Sequence, residues 1–258
     1  MIVEPDLKLA ALCVCMVALT AAWYRVAQLG PPPVAPRAAA RGAVQLGVVA
    51  LVLAAALSHL WSAVLVLAVM FAAAVATAAQ RCCAGWSGMW LTLALGAGIG
   101  TVLPLMLITG VVPLTGVAVV PIGGIVLGGT MTATSLAARR ALDTVEQRRG
   151  EVEAAMSLGF TEREARLEVI RPSAGDALLP GVDQTRTVGL VTLPGAFVGV
   201  LLTSGSALQA AAVQMLILTG LLLAQATAVA VTTELIARSK VHRTPQERRF
   251  TASSNTVP

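Results

Sequence analysis

Charge is missing from three long stretches of this chain, and that absence constrains the fold more than any motif. No charged residue lies between Leu9 and Tyr24. Arg81 alone interrupts the run from Gly42 to Ala138, and none occurs between Thr187 and Thr233. A helix that crosses a bilayer needs roughly 20 mostly apolar residues, so these deserts hold several spans. Only 12% of the residues are charged, against about a quarter in a soluble domain. The expectation is an all-α, polytopic membrane protein of about seven transmembrane helices, at 7–29, 42–58, 60–79, 88–109, 116–138, 184–203 and 208–236. Turn signals divide them. Pro31-Pro-Pro33 with Pro36, His59, the run Arg81–Ser87, the run Gly110–Thr115 with Pro113, and Ser204-Gly-Ser206 each fall between two spans.

The net charge of +5 does not indicate nucleic acid, because the basic residues sit at the ends of apolar segments. Arg25, Arg37 and Arg41 flank the first loop, and Arg81 lies in the third. Seven arginines fall between residues 139 and 180, Arg186 opens the sixth span, and Arg238, Lys240, Arg243, Arg248 and Arg249 follow the last. Seven spans put all of these on one face, with only Lys8 opposite. The positive-inside rule then places the N-terminus outside and the C-terminus in the cytoplasm of a plasma-membrane protein. The acidic start at Glu4-Pro-Asp6 and the long apolar run after it argue for a retained span rather than a signal peptide. Residues 1–240 read as one transmembrane domain and 241–258 as a disordered cytoplasmic tail. Cys13 and Cys15 lie inside the first span. Cys82 and Cys83 lie at a cytoplasmic end, where a reducing compartment favours free thiols; a metal pair at Cys82-Cys83 stays open beside the plainer reading of small apolar residues.

The charged island 139–180 is the exception to this apolar pattern. From Ser135 to Leu158 there is no proline, which predicts that the fifth span continues into water as one helix. Arg139 with Asp143 and Glu146 with Arg149 are spaced to pair along it. Gly159 is placed to end that helix in the left-handed conformation. Thr161-Glu-Arg-Glu164 is a capping box for a second helix, which Pro172 ends near Arg171 before the chain returns to the membrane at Pro180. Acids and bases are intermixed here, which suits a protein partner better than an anionic lipid surface.

The pattern Glu153-Ala154-Ala155, three residues, Gly159, nine residues, Val169, two residues, Pro172 resembles the EAA loop of ABC transporter permeases. In that family the loop forms a coupling helix seated in a cleft of the ATPase subunit. Val169 stands for the usual isoleucine and Arg171 for a leucine. The runs Gly129-Thr-Met-Thr-Ala-Thr-Ser-Leu-Ala137 and Arg186-Thr-Val-Gly-Leu-Val-Thr-Leu-Pro-Gly195 resemble the FetB-type permeases, linked to iron export, whose plant relatives are linked to aluminium tolerance. Departures from that pattern fall at Gly129 (an Asn is usual), at Val198-Gly-Val200 (Thr-Gly-Gln) and at Ser206-Ala207 (Ser-Pro). The resemblance implies a permease subunit, as a homodimer, with two copies of a separate ATPase subunit. It implies coupling through Glu153, Ala154, Ala155, Gly159 and Pro172, and metal export as the transport function.

The chain carries no chemistry of its own that the residues reveal. Neither lysine, Lys8 nor Lys240, follows a Gly-x-x-x-x-Gly, so no phosphate-cradling P-loop exists. His59 and His242 are its only histidines and are expected on opposite faces, so neither a catalytic triad nor a hydrolytic metal set can be assembled, and no cofactor is implied. Candidates for a translocation path are Thr130, Met131, Thr132 and Thr134 on the fifth span and Thr192, Pro194 and Gly195 on the sixth. Pro194 frees a backbone carbonyl that needs a partner or a wet cavity; Pro104 and Pro121 are expected to kink the fourth and fifth spans. Gly96/Gly100, Gly124/Gly128 and Gly195/Gly199 are small-residue pairs suited to close helix contact. No Asp or Glu lies deep in a span, which disfavours a tight intramembrane site for a hard cation. An ATP-independent secondary transporter and a non-transporting membrane anchor remain the alternatives.

Overall fold

A computed structural model describes residues 6–56, 60–82 and 84–243. His59, Cys83 and most of the expected tail lie outside the described residues. The chain divides into two bodies, residues 1–58 and 59–258.

The first body is a pair of helices. α1, Leu7–Val26, starts where Asp6 accepts a hydrogen bond from the Leu7 N–H, which satisfies one of the free donors of a helix start. α2, Val34–Ala56, opens three residues after Pro31 and takes Pro36, Arg37 and Arg41 into its first turns, so it begins well before the expected boundary at residue 42.

The second body is built on two long helices. α3 spans Leu60–Arg81, a 3-10 turn covers Gly85–Trp90, and α4 spans Leu91–Ile108. α5 runs Gly116–Gln147 and is followed by α6, Arg149–Ser157, and α7, Glu162–Gly175. After a 3-10 turn at Asp176–Leu178 come α8, Leu179–Thr187, α9, Gly195–Ser204, and α10, Ala207–Ala237. α10 packs on both α5 and α4, α3 packs on α5, and α7 lies against α5 and α10. Small side chains make this packing close: Ala78, Ala94, Ala137, Ala138, Ala224 and Ala228 are fully buried. In lipid, where burial of apolar groups gives helices no preference for one another, such residues let backbones approach and gain dispersion contact.

Five helices among the described residues are long and apolar enough to cross a membrane: α1, α3, α4 with its preceding turn, α5 and α10. The expected sixth span, 184–203, is not one helix. α8 stops at Thr187, Val188 is extended, and Gly189 turns back at φ +83°. Pro194 then serves as the N-cap of α9. A proline that lacks an N–H is tolerated at a helix start and disfavoured in its interior, and Gly189, five residues upstream, relieves the steric limit on the turn.

The charged island differs from expectation at three points. First, α5 is not continuous to Leu158. Arg148, at φ −104° and ψ 30°, interrupts it, and α6 starts afresh. Second, α7 passes through Pro172 to Gly175. Val169, Ile170 and Ala174 are buried on that stretch, and burial of each larger side chain contributes about 1.5–3 kcal/mol, enough to offset the roughly 3 kcal/mol an interior proline costs. Third, the expected ion pairs are made with other partners. Asp143 and Glu146 both take Arg243, Arg149 takes Glu153 at 2.9 Å, and Arg139 donates to the Arg81 carbonyl at 3.2 Å.

Candidate functional site

The corner between α6 and α7 is set by local chemistry. Leu158 caps α6, and Gly159 follows at φ +96°. The Gly159 N–H donates to the Met156 carbonyl at 3.0 Å and the Phe160 N–H to the Ala155 carbonyl at 3.2 Å. This is the Schellman closure, which needs a residue free to adopt left-handed φ. Two residues later the Thr161 hydroxyl accepts from the Glu164 N–H, and the Glu164 carboxylate accepts from the Thr161 N–H at 3.0 Å and its hydroxyl at 2.7 Å. Those hydrogen bonds hold the Glu164 carboxyl below its ordinary range, the Thr161 hydroxyl contributing most and the Thr161 N–H next. The capping box expected from the sequence is therefore complete.

This corner presents apolar side chains to solvent. Leu158 is 81% exposed and Phe160 50%. Beneath them a groove of about 520 Å³ runs between the corner and the outer face of α7, flanked by Arg163, Glu168 and Arg171. Of the residues singled out in the island, Glu153 and Ala154 are exposed on α6, and Ala155 is half-buried against the core. Gly159 forms the corner, and Pro172 lies exposed on the far side of α7.

The corner is tied to both long helices. Behind it, α6 joins α5 through the turn at Arg148, where the Arg148 guanidinium chelates Glu151. Sideways, Arg163 donates to both oxygens of Glu234 on α10, at 2.7 and 2.8 Å, and Arg238 reaches the same carboxylate at 2.6 Å. A forked guanidinium on a carboxylate fixes orientation as well as distance.

A third tie was not foreseen. The chain beyond α10 folds back across the same end of the bundle. Lys240 Nζ lies 5.3 Å from the centre of the Trp90 ring, within cation–π range. Val241 is buried. The His242 N–H donates to Ser87 Oγ at 3.2 Å and the Ser87 hydroxyl donates to the His242 carbonyl at 2.8 Å. Arg243 bonds Asp143 and Glu146 near the end of α5. Residues 241–243, which the sequence assigned to the tail, thus lie against the bundle.

The candidates for a translocation path fall in two places. Thr130 and Thr134 are fully buried on α5, Met131 is half-buried and Thr132 is exposed. Thr130 returns its hydroxyl proton to the Val126 carbonyl and Thr132 to Gly128, whereas Thr134 Oγ1 is buried with no partner. Thr192 and Pro194 belong to the break between α8 and α9, Gly195 is the first residue of α9, and α9 packs on α10.

Two buried amides on α10 escaped the sequence reading. Gln225 donates to the Gly129 carbonyl at 3.4 Å, and its Oε1 is unpartnered. It sits between Gly129 and Gly181, where an added Cβ would meet the amide at 3.2 and 2.1 Å. Gln214 is also buried with Oε1 unpartnered. Eleven residues is close to three helical turns, so both lie on one face of α10. Isolated amides in a charge-free apolar helix are costly to bury, and that cost was the available signal.

Several long apolar helices packed through small residues define a multi-pass helical membrane protein. The chain belongs to the family described as Uncharacterised protein family (UPF0014), which it matches over residues 6–241. It is 33% identical over 184 residues to "UPF0014 membrane protein STAR2" of Oryza sativa subsp. japonica, covering 70% of this chain and 65% of that protein. It is 34% identical over 188 residues to "UPF0014 membrane protein slr1647" of Synechocystis sp., covering 70% and 73%. To "Probable iron export permease protein FetB" of Escherichia coli it is 33% identical over 109 residues, 42% of each chain. The chain spans about two thirds of the rice relative's length. No solved structure matches it. The resemblance to FetB-type permeases read from the sequence holds.

Proposed function

We propose that this chain is the transmembrane subunit of an ABC transporter, a homodimer that couples ATP hydrolysis by two copies of a separate ATPase subunit to substrate export, with iron as the substrate. The observation that carries this reading is the corner at Leu158–Phe160. It is an apolar knob, held in shape by the Schellman closure and the capping box, flanked by mixed charge, and joined to helices long and apolar enough to cross a membrane. Such a knob serves a protein cleft, and its ties to α5 and α10 give a route by which a push on it reaches the bundle. The iron substrate comes from the relative named for iron export. In this reading the corner faces the cytoplasm, the N-terminus is outside, and Glu153, Ala154, Ala155 and Gly159 form the contact with the ATPase.

The test is co-expression with a P-loop ATPase, purification in detergent and measurement of ATP turnover with and without ferrous iron. Wild type is expected to bring the ATPase down and to support iron-stimulated turnover. Gly159→Val is expected to abolish the stimulation while leaving the helical content intact. Equal stimulation in that variant overturns the coupling role.

A further inference from the structure

Arg163, Leu167 and Arg171 form a ridge along α7. The groove under the corner lies on one side of it, and a second groove of about 350 Å³ lies on the other, against α10. The walls of the second are apolar: Ala226, Val229 and Ala230 on α10, and Leu178 where the chain turns into α8. Glu234 stands at one end.

The depth of this groove follows from the packing of α4 on α10. An added Cβ at Gly98 would meet Ala224 and Ala228, and one at Gly220 would meet Val102 and Met106. The two helices therefore run antiparallel. Both rise equally per residue, so Leu91, which opens α4, stands about level with Glu234. The turn just before Leu91 holds Trp86 and Trp90, both exposed, and tryptophans so placed mark the boundary between lipid and water. Ala226 lies eight residues before Glu234 on α10, about 12 Å deeper. The groove thus runs from the boundary through most of one leaflet, whose share of the hydrocarbon is about 15 Å.

Arg171 opens into this groove and has no hydrogen-bond or ion-pair partner among the described residues. It lies in the chain between Arg163, tied to Glu234, and Gly181, packed on Gln225, and so at the boundary or just inside it. A lone charge at such a place is costly and calls for a partner. Glu234 does not serve, because Arg163 and Arg238 already hold its carboxylate. The mouth of the groove therefore keeps an excess of positive charge, unlike the intermixed charge around the corner. Its occupant has to carry an anion at the boundary and apolar surface below it. A soluble subunit does not reach that depth, whereas a phospholipid has both parts in that order.

We propose that the groove between α7 and α10 binds an anionic phospholipid, its phosphate on Arg171 and an acyl chain along Ala226, Val229 and Ala230. A guanidinium fork matches phosphate geometry, and basic pockets beside membrane helices hold anionic headgroups in this way. Phosphatidylglycerol fits better than phosphatidylcholine, which would bring an ammonium group to Arg171.

The test is native mass spectrometry of the delipidated full chain, titrated with phosphatidylglycerol and with phosphatidylcholine of the same acyl chains. Wild type is expected to bind phosphatidylglycerol the more tightly. Arg171→Leu is expected to weaken that binding about tenfold, as loss of a charge-assisted hydrogen bond does, and Arg171→Lys to recover part of it. Ala230→Phe, which sets a ring in the groove and keeps the charge, is expected to weaken both lipids. Arg149→Leu, on the exposed side of α6, is expected to change neither. Equal binding of the two lipids, wild-type binding in both Arg171→Leu and Ala230→Phe, or an equal loss in Arg149→Leu overturns the proposal. So does displacement of the lipid by an equal concentration of glycerol phosphate, which assigns the site to a soluble anion. A lipid-free dimer that Arg171→Leu dissociates assigns the groove to a second copy and overturns it too. The measurement contains no ATPase and no iron, so its outcome is separate from that of the function proposed above.

Discussion

At Gln225 an amide fills the space left by two missing side chains. Its Oε1 would be 2.1 Å from a Cβ on residue 181, and Gly129 opposes it on α5. Gly181→Ala must therefore push the amide out of its slot, and overpacking of this kind costs about 1–3 kcal/mol. The expected result is a lowered melting temperature in detergent that Gln225→Ala largely restores, because removing the amide makes room for the new methyl. If the double variant is as destabilised as the sum of the two single ones, the contact is not the cause. Glu164 allows a pH test. Its folded carboxyl titrates below the ordinary 4.5, so its contribution is present above that value and is lost as pH falls through the lowered folded one. Amides in the first turn of α7 are expected to exchange faster as pH drops below 4.5, and Glu164→Gln is expected to flatten that dependence. The Thr161–Glu164 pair was legible in the sequence because both halves lie within four residues. Gln225 was not, because its meaning depends on glycines 44 and 96 positions away in the chain.

Among the elements, those whose limits are set locally came out as read: the corner at Gly159, the start of α7, and the apolar lengths of α3, α4 and α10. Where a tertiary contact competes, sequence spacing misleads. Arg139 and Asp143 are correctly spaced to pair, yet Asp143 has Arg243 within reach. α7 runs through Pro172 because its buried face continues beyond it. The expected sixth span had the apolar length of a crossing helix and no charge after Arg186, and it broke at Gly189 and Pro194, where composition carries no weight. The tie between α7 and α10 is the contact on which the proposed transmission depends. Arg163 and Glu234 are partly exposed, at 46% and 31%, so solvent screens the pair and it contributes little to stability. Arg163→Glu is therefore expected to shift the melting temperature little while uncoupling iron from ATP turnover in the complex. Adding Glu234→Arg is expected to recover the coupling by rebuilding the fork in reverse. Loss in the single variant without recovery in the double points to a role of Arg163 outside this pair.

In the whole molecule, the charged end is held together by contacts that cross most of the sequence. The strap from Lys240 to Arg243 joins the last residues described to the turn before α4 and to the end of α5. Arg243 is the strap's anchor. Its side chain is only 12% exposed, and it separates two carboxylates, Asp143 and Glu146, that sit three residues apart on α5, where like charges repel. Burial opposes its positive charge, but the hydrogen bond it donates to Asp143 and the charges of the two acids more than offset this and hold its pKa above the ordinary value. Arg243→Ala leaves those acids facing each other just before the interruption at Arg148, Glu146 two residues from it. The cost in stability is about 1 kcal/mol, because both acids stay partly in water. Its location is more informative than its size. Amide exchange is expected to rise across residues 143–152 and to stay unchanged at the Gly159 corner, whose hydrogen bonds are all local. That pattern means the strap stiffens the junction between the corner and α5 from outside, so that a push on the corner bends the bundle rather than the junction. Exchange that rises at the corner as well means the corner depends on the strap for its own shape.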